Sequence, residues 1–291
     1  MRIANVDGRA KLIVGDGALD VGTASDGRFG PGPAAVYDDW DAFLEWASAA
    51  AGAAGTAGGA PAPSERLEPF HPATCGPPSP APRQVFAVAL NYRAHAEESG
   101  FAPPSDPLFF TKYVSAFTGP VTDVVLPAGN VDWECELVAV ISRPTRRIAA
   151  ADGWSHVAGL TVGQDLSERI LQRSGPVPQF SLGKSHAGFA PSGPVLVTPD
   201  EFANPDDLDI GCEVDGQTMQ SARTSLMIFP VPELIAYLSN VVTLFPGDVI
   251  FTGTPPGVGA GRTPPVFLAP GDHLRSWVEG IGELHQRLVA S

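Results

Sequence analysis

The 291-residue chain reads as a mixed, β-rich α+β protein, a roll or barrel-like body of short strands rather than a doubly wound sheet. Three observations predict this. The runs Val85–Leu90, Leu137–Ile141, Val157–Val162, Val195–Val197, Ile210–Val214 and Val249–Thr252 are short, apolar and mostly rich in β-branched residues, as buried strands are. Few segments sustain helical spacing. Glycine and proline punctuate the chain densely after residue 240.

Taken in order, Arg2–Val6 and Ala10–Val14 predict two strands joined by Asp7-Gly8-Arg9, a hairpin signal. Tyr37 to Ala50 spaces Trp40, Phe43, Leu44, Trp46 and Ala47 as a helix would. Residues 50–59 are almost only Ala, Gly and Thr, and proline enrichment follows. These shifts predict a small N-terminal α+β domain over 1–50, a linker or crossing segment over 51–82 and the main body over 83–291. Within the body, Tyr92–Ser99 predicts a short helix. Leu226–Asn240 predicts another in part, with Pro232 near its first turn.

Composition excludes some classes. Eighteen basic against 32 acidic residues give a net charge of −14, which argues against nucleic acid and anionic membranes as partners. Hydrophobic residues make up 44%, enough for a substantial core. Cys75, Cys135 and Cys212 are odd in number and widely spaced, which predicts free thiols in a reducing compartment. The first residues lack an apolar signal core, and no apolar run approaches the roughly 18 residues of a membrane span. Cytoplasmic residence is the expectation.

The chemistry concentrates in a few strings. In Trp133-Glu134-Cys135-Glu136-Leu137, residues i and i+2 of a strand share a face, so both carboxylates would project together with Cys135 opposed. Such a pair suits a hard divalent ion, though two acids at a strand end can also simply face solvent. Asp165, where a strand gives way to a turn or helix, is either an N-cap or a third ligand. Arg169 and Gln172 share a helix face, and a guanidinium fork there could hold a substrate carboxylate, or form a surface ion pair with Glu168 or another acid. His95 and Glu98 at i and i+3 could form a general-base dyad on a movable helix, or a solvated pair. Lys184, in a glycine-flanked turn, could neutralise a developing enolate. Pro178 occupies the position of the first glycine of a phosphate loop, so Gly183-Lys184-Ser185 is not one. Lysine is otherwise found only at positions 11 and 112, the remaining basic residues being arginine, so each lysine merits attention.

These strings resemble the fumarylacetoacetate hydrolase family. The resemblance rests on Leu90-Asn91-Tyr92-Arg93-Ala94-His95-Ala96-Glu97-Glu98, Glu134-Cys135-Glu136-Leu137, Gln164-Asp165-Leu166-Ser167-Glu168-Arg169 with Gln172, Gly183-Lys184-Ser185, Met227-Ile228-Phe229, Pro246-Gly247-Asp248 and Thr252-Gly253-Thr254-Pro255-Pro256-Gly257-Val258-Gly259, in order. It implies a β-sandwich roll for residues 83–291, often a homodimer, with one Mg²⁺ or Mn²⁺ per subunit. By that match Glu134, Glu136 and Asp165 would bind the metal, and His95 and Glu98 would activate water. Lys184 would face the oxyanion, while Arg169, Gln172, Thr254 and Tyr92 would touch a keto or diketo acid. The implied activity is hydrolysis of a C–C bond in acylpyruvate-like diketo acids through a metal-stabilised enolate. Isomerase, hydratase or β-keto acid decarboxylase chemistry on the same scaffold is the alternative, and a non-catalytic binding protein a third. Two departures stand out. His186 occupies a position often aromatic, and Glu168 one often small, close enough to weaken Arg169's hold on an anion.

Overall fold

The computed structural model describes residues 1–54 and 67–291; residues 55–66 of the expected linker lie outside the described residues. β1 (Arg2–Val6) and β2 (Arg9–Val14) form the expected hairpin, and Asp7 and Gly8 both have positive φ, 49° and 78°, as a type I′ turn requires. β3 (Gly17–Asp20) and α1 (Val21–Ala24) lead to α2 (Trp40–Ala54), which buries Trp40, Phe43 and Ala47. The chain returns through β4 (Glu68–Pro69) and β5 (Cys75–Gly76), then runs into β6 (Val85–Ala89) and α3 (Arg93–Glu98). β7 (Leu108–Phe110), β8 (Phe117–Thr118), β9 (Val121–Leu126) and β10 (Val131–Asp132) precede the central pair β11 (Cys135–Ile141) and β12 (Val157–Gln164). Next come β13 (Ser167–Glu168), the single turns α4 (Arg169–Gln172) and α5 (Phe180–Gly183), and β14 (Ala190–Val197). β15 (Asp209–Val214), β16 (Gln217–Arg223), α6 (Val231–Val241), β17 (Val249–Phe251), β18 (His273–Val278) and β19 (Gly282–Ala290) complete the chain.

The larger sheet runs β4-β3-β2-β1-β14-β12-β11-β17-β6-β7, and the smaller runs β16-β15-β18-β19-β9. β11, β12 and β14 pack across β15, β18 and β19, so the two sheets form a sandwich and the β-rich α+β expectation holds. β1 hydrogen-bonds to β14 with Arg2 opposite Val197, so the N-terminal strands extend the same sheet as the main body. β11, β12 and β14 are buried along their whole length, which is why they read as unbroken apolar runs.

β9, β16, β18 and β19 were not marked by such runs. They have one wet face: along β19, Leu284, Gln286 and Leu288 are buried while His285 and Arg287 are exposed. That alternation is a period-2 signal, and Asp215-Gly216 between β15 and β16 repeats the positive-φ hairpin dipeptide. Among the described residues, no helix is long and apolar enough to cross a membrane.

Candidate metal centre and active site

Strand register assembles the acidic centre. β11 and β12 are antiparallel with Cys135 opposite Gln164, which sets Asp165 beside Glu134; the Asp165 amide donates to the Glu134 carbonyl at 2.9 Å. Glu134 lies one residue ahead of β11 and Glu136 inside it, and the pleat sends Cys135 to the opposite face, against the Trp277 carbonyl. One carboxylate oxygen from each of Glu134, Glu136 and Asp165 lies within 4.8 Å of the others, and all three side chains are buried. Asp165 is not an N-cap: Glu168 caps α4, accepting from the Ile170 and Leu171 amides. Three hard oxygen donors without thiolate or imidazole fit Mg²⁺ or Mn²⁺.

Three buried cations offset this charge. Lys184 Nζ donates to Glu134 Oε2 at 2.8 Å and to Asp165 Oδ2 at 2.6 Å. Arg169 Nη1 lies 2.7 Å from Glu134 Oε1. Lys112 Nζ donates to Asp165 Oδ1 at 2.6 Å and to the Lys184 carbonyl. The acids divide accordingly. Burial pushes the Glu134 carboxyl up, but Lys184 and Arg169 outweigh it and hold the group well below the usual carboxylate range. Glu136 accepts from the Gly253 amide at 2.7 Å, and burial, Asp165 and Glu134 together push its carboxyl well above the usual value.

Sequence reasoning assigned Lys112 no role. Its one legible signal was its rarity as a lysine in an arginine-rich chain. Because its ammonium is wholly buried against Asp165, Lys112→Met should destabilise the protein by about 3 kcal/mol in urea unfolding. A loss below roughly 1 kcal/mol would show that Lys184 alone balances Asp165.

The dyad forms as the i, i+3 spacing predicts. His95 Nδ1 and Glu98 Oε1 are 2.8 Å apart on α3, and the imidazole is close enough to Glu134 to interact with it electrostatically. Both oxygens of Glu98 also accept from the Gly257 amide, at 3.1 and 2.9 Å, seating α3 on the loop after β17. Asn91 locks the start of the helix, donating to the Phe229 and Thr252 carbonyls and accepting from the Phe229 amide. Leu90, just before it, holds a left-handed φ of 57°, a conformation that costs on the order of 1 kcal/mol in a residue with a side chain. The Tyr92 hydroxyl is buried without a hydrogen-bond partner, and burial, with Glu136 nearby, raises its pKa.

Arg169 and Gln172 meet, Nη1 donating to Gln172 Oε1 at 2.9 Å. Of the ion pairs weighed for Arg169, the one with Glu168 does not form, while pairs with other acids do, buried rather than on the surface. The Glu168 carboxylate is taken by the amides of Asn130, Ile170 and Leu171, while Arg169 turns to Asp132, an acid not singled out from sequence. Thr254 is buried, its hydroxyl donating to the Cys135 carbonyl and accepting from Gln220. His186 tilts against Phe189 at 4.9 Å, with Nε2 buried and unpartnered.

The arrangement therefore offers a carboxylate triad, three cations, and a histidine–glutamate dyad on a helix seated on the loop after β17. A family model described as "Fumarylacetoacetate (FAA) hydrolase C-terminal" matches residues 84–289. The chain is 44% identical over 214 residues to bovine oxaloacetate tautomerase FAHD2A, mitochondrial, covering 73% of this chain and 68% of that protein. A Mycobacterium smegmatis structure provisionally described as an HpcE protein is 58% identical, with TM-score 0.91 and 100% of both chains covered. Maleylpyruvate hydrolase from Sphingobium sp. SYK-6, solved with manganese(II) and pyruvate, is 30% identical with TM-score 0.77, again with both chains fully covered. Motif order, sandwich fold and match over most of the chain lead to one conclusion: this protein belongs to the fumarylacetoacetate hydrolase family.

Proposed function

We propose that the protein is a divalent-metal-dependent enzyme that hydrolyses a C–C bond in acylpyruvate-like 2,4-diketo acids. The observation that carries this reading is the His95–Glu98 pair, 2.8 Å apart, held beside three clustered carboxylates. Glu134, Glu136 and Asp165 would hold one Mg²⁺ or Mn²⁺ per subunit of a homodimer, which metal analysis and light scattering check. The ion would supply a Lewis acid toward the α-keto carboxylate. Arg169, steadied by Gln172, would take the substrate carboxylate, and the unpartnered Tyr92 hydroxyl would donate to substrate or water. His95 would accept a proton from water as its oxygen attacks the distal carbonyl, with Glu98 stabilising the imidazolium. The bond between that carbon and the methylene then breaks, releasing a carboxylic acid and the enolate of pyruvate. Lys184 would balance the enolate charge until carbon is protonated.

A second reading, keto–enol tautomerisation, is favoured by the 44% identity to an oxaloacetate tautomerase. It uses the same dyad as a proton shuttle without adding water. Acetylpyruvate and oxaloacetate, each assayed with Mn²⁺ and with chelator, separate the two. Hydrolysis predicts Mn²⁺-dependent loss of diketone absorbance, with acetate and pyruvate identified by mass spectrometry. Accelerated enol–keto exchange of oxaloacetate without fragments would favour tautomerisation, and no metal-dependent turnover of either would end both readings.

A further inference from the structure

We infer that Asp132 is a positioning residue: one buried carboxylate that fixes the Arg169 fork and the loop seating Glu98 in a single arrangement. The inference rests on Arg169 being the group that receives the substrate carboxylate. Asp132 is fully buried and accepts five hydrogen bonds. Oδ1 takes the amides of Trp133 at 2.9 Å and Gly259 at 2.7 Å. Oδ2 takes the Ala260 amide at 2.9 Å, Arg169 Nε at 2.9 Å and Arg169 Nη2 at 2.7 Å. With Nε and Nη2 committed, the guanidinium plane is set and Nη1 is directed to Gln172 and Glu134, at the edge of the triad.

The same carboxylate reaches the dyad through three residues of loop. Gly259 is bound by Asp132, and Gly257 donates its amide to Glu98. The loop is built for this close approach. A Cβ on Gly259 would lie 1.9 Å from the Val266 carbonyl and 2.8 Å from Asp132 Oδ1. A Cβ on Gly257, whose φ is +107°, would lie 2.2 Å from the Met219 carbonyl. Trp133 Nε1 and Arg262 Nη2 both donate to the Gly257 carbonyl, and the Arg262 guanidinium sits over the Trp133 ring. Substrate anion capture and seating of α3 thus share one rigid support, and Asp132 is its only carboxylate bound to both Arg169 and the loop among the described residues.

The test compares wild type, Asp132→Asn, Arg169→Lys and the double variant by three measurements. These are Mn²⁺ affinity by calorimetry, pyruvate affinity in saturating Mn²⁺, and amide hydrogen exchange without ligand. Asp132→Asn should weaken pyruvate about 10-fold or more while Mn²⁺ affinity stays within about threefold. Exchange should rise at residues 257–262 and 93–98. The double variant should bind pyruvate no worse than Arg169→Lys alone, the non-additivity of residues acting as a unit. Additive losses, or parallel loss of Mn²⁺ affinity, would overturn the inference, as would unchanged exchange at the loop. If Asp132→Asn does not fold, Ala260→Pro, which deletes one amide donor to Oδ2, decides. A pyruvate affinity reduced about threefold supports the role, and an unchanged one overturns it. Failure of wild type to bind pyruvate would remove the substrate reading and Arg169's part in it, leaving loop exchange to decide whether Asp132 holds the seat of Glu98.

Discussion

Glu136→Gln is expected to abolish turnover and weaken Mn²⁺ binding by at least about 100-fold, while leaving the metal-free protein as stable as wild type or more so. Loss of function follows from removing one anionic oxygen from a set of three buried acids. The stability effect has the opposite sign because Glu136 is the acid of the cluster whose carboxyl is pushed far up, by burial and by Asp165 and Glu134. Its proton binds more tightly in the folded chain than in the unfolded one. Wild type therefore loses stability as pH rises from the ordinary glutamate range toward that raised value, and the amide variant, with nothing to ionise there, does not. Replacement of a buried charge is worth about 1–3 kcal/mol, or several degrees in melting temperature for a chain of this size. Melting curves in chelator at pH 6 and pH 8 check this. A variant that melts well below wild type at pH 8 would mean that Glu136 is stabilised by its neighbours rather than opposed by them.

His95→Ala should lower kcat by roughly 10²–10⁴-fold with little change in Mn²⁺ affinity or melting temperature, the signature of a lost proton-transfer group. The imidazole is held by Glu98, and Glu98 has a second anchor in the Gly257 amide, so the helix keeps its seat when the ring is removed. Glu98→Gln should fall less in kcat and should loosen that seat, because an amide retains one acceptor but cannot stabilise an imidazolium. Retention of full activity in His95→Ala would remove the dyad from the reaction.

Much of the site was legible because its groups come in short strings whose spacing fixes a shared face. Glu134 and Glu136 are two apart at a strand end, His95 and Glu98 three apart on a helix, and Arg169 and Gln172 likewise; all three pairs met as periodicity requires. Buried strands were visible as β-branched runs, and the Asp7-Gly8 turn as a dipeptide with two left-handed residues. Strands with one wet face were passed over, since their polar alternates interrupt the apolar run that marked the others.

Partnerships across the chain were not legible. Lys112 is 53 residues from Asp165, Asp132 is 37 from Arg169, and Glu98 is 159 from Gly257. No local period encodes such separations. They are set by the register of β11 against β12 and by where the loop after β17 is forced to lie. The identity of Glu168 shows the consequence: beside Arg169 in sequence it looks like a competing acid, yet three amide donors claim its carboxylate and Asp132 takes the guanidinium. The sequence by itself determined which candidate residues meet in local pairs, because side-chain direction follows from backbone periodicity. Only the tertiary structure decided which acid has its carboxyl pushed up, which lysine is buried against Asp165 and which carboxylate orients the arginine, because burial and charge proximity depend on packing between distant segments.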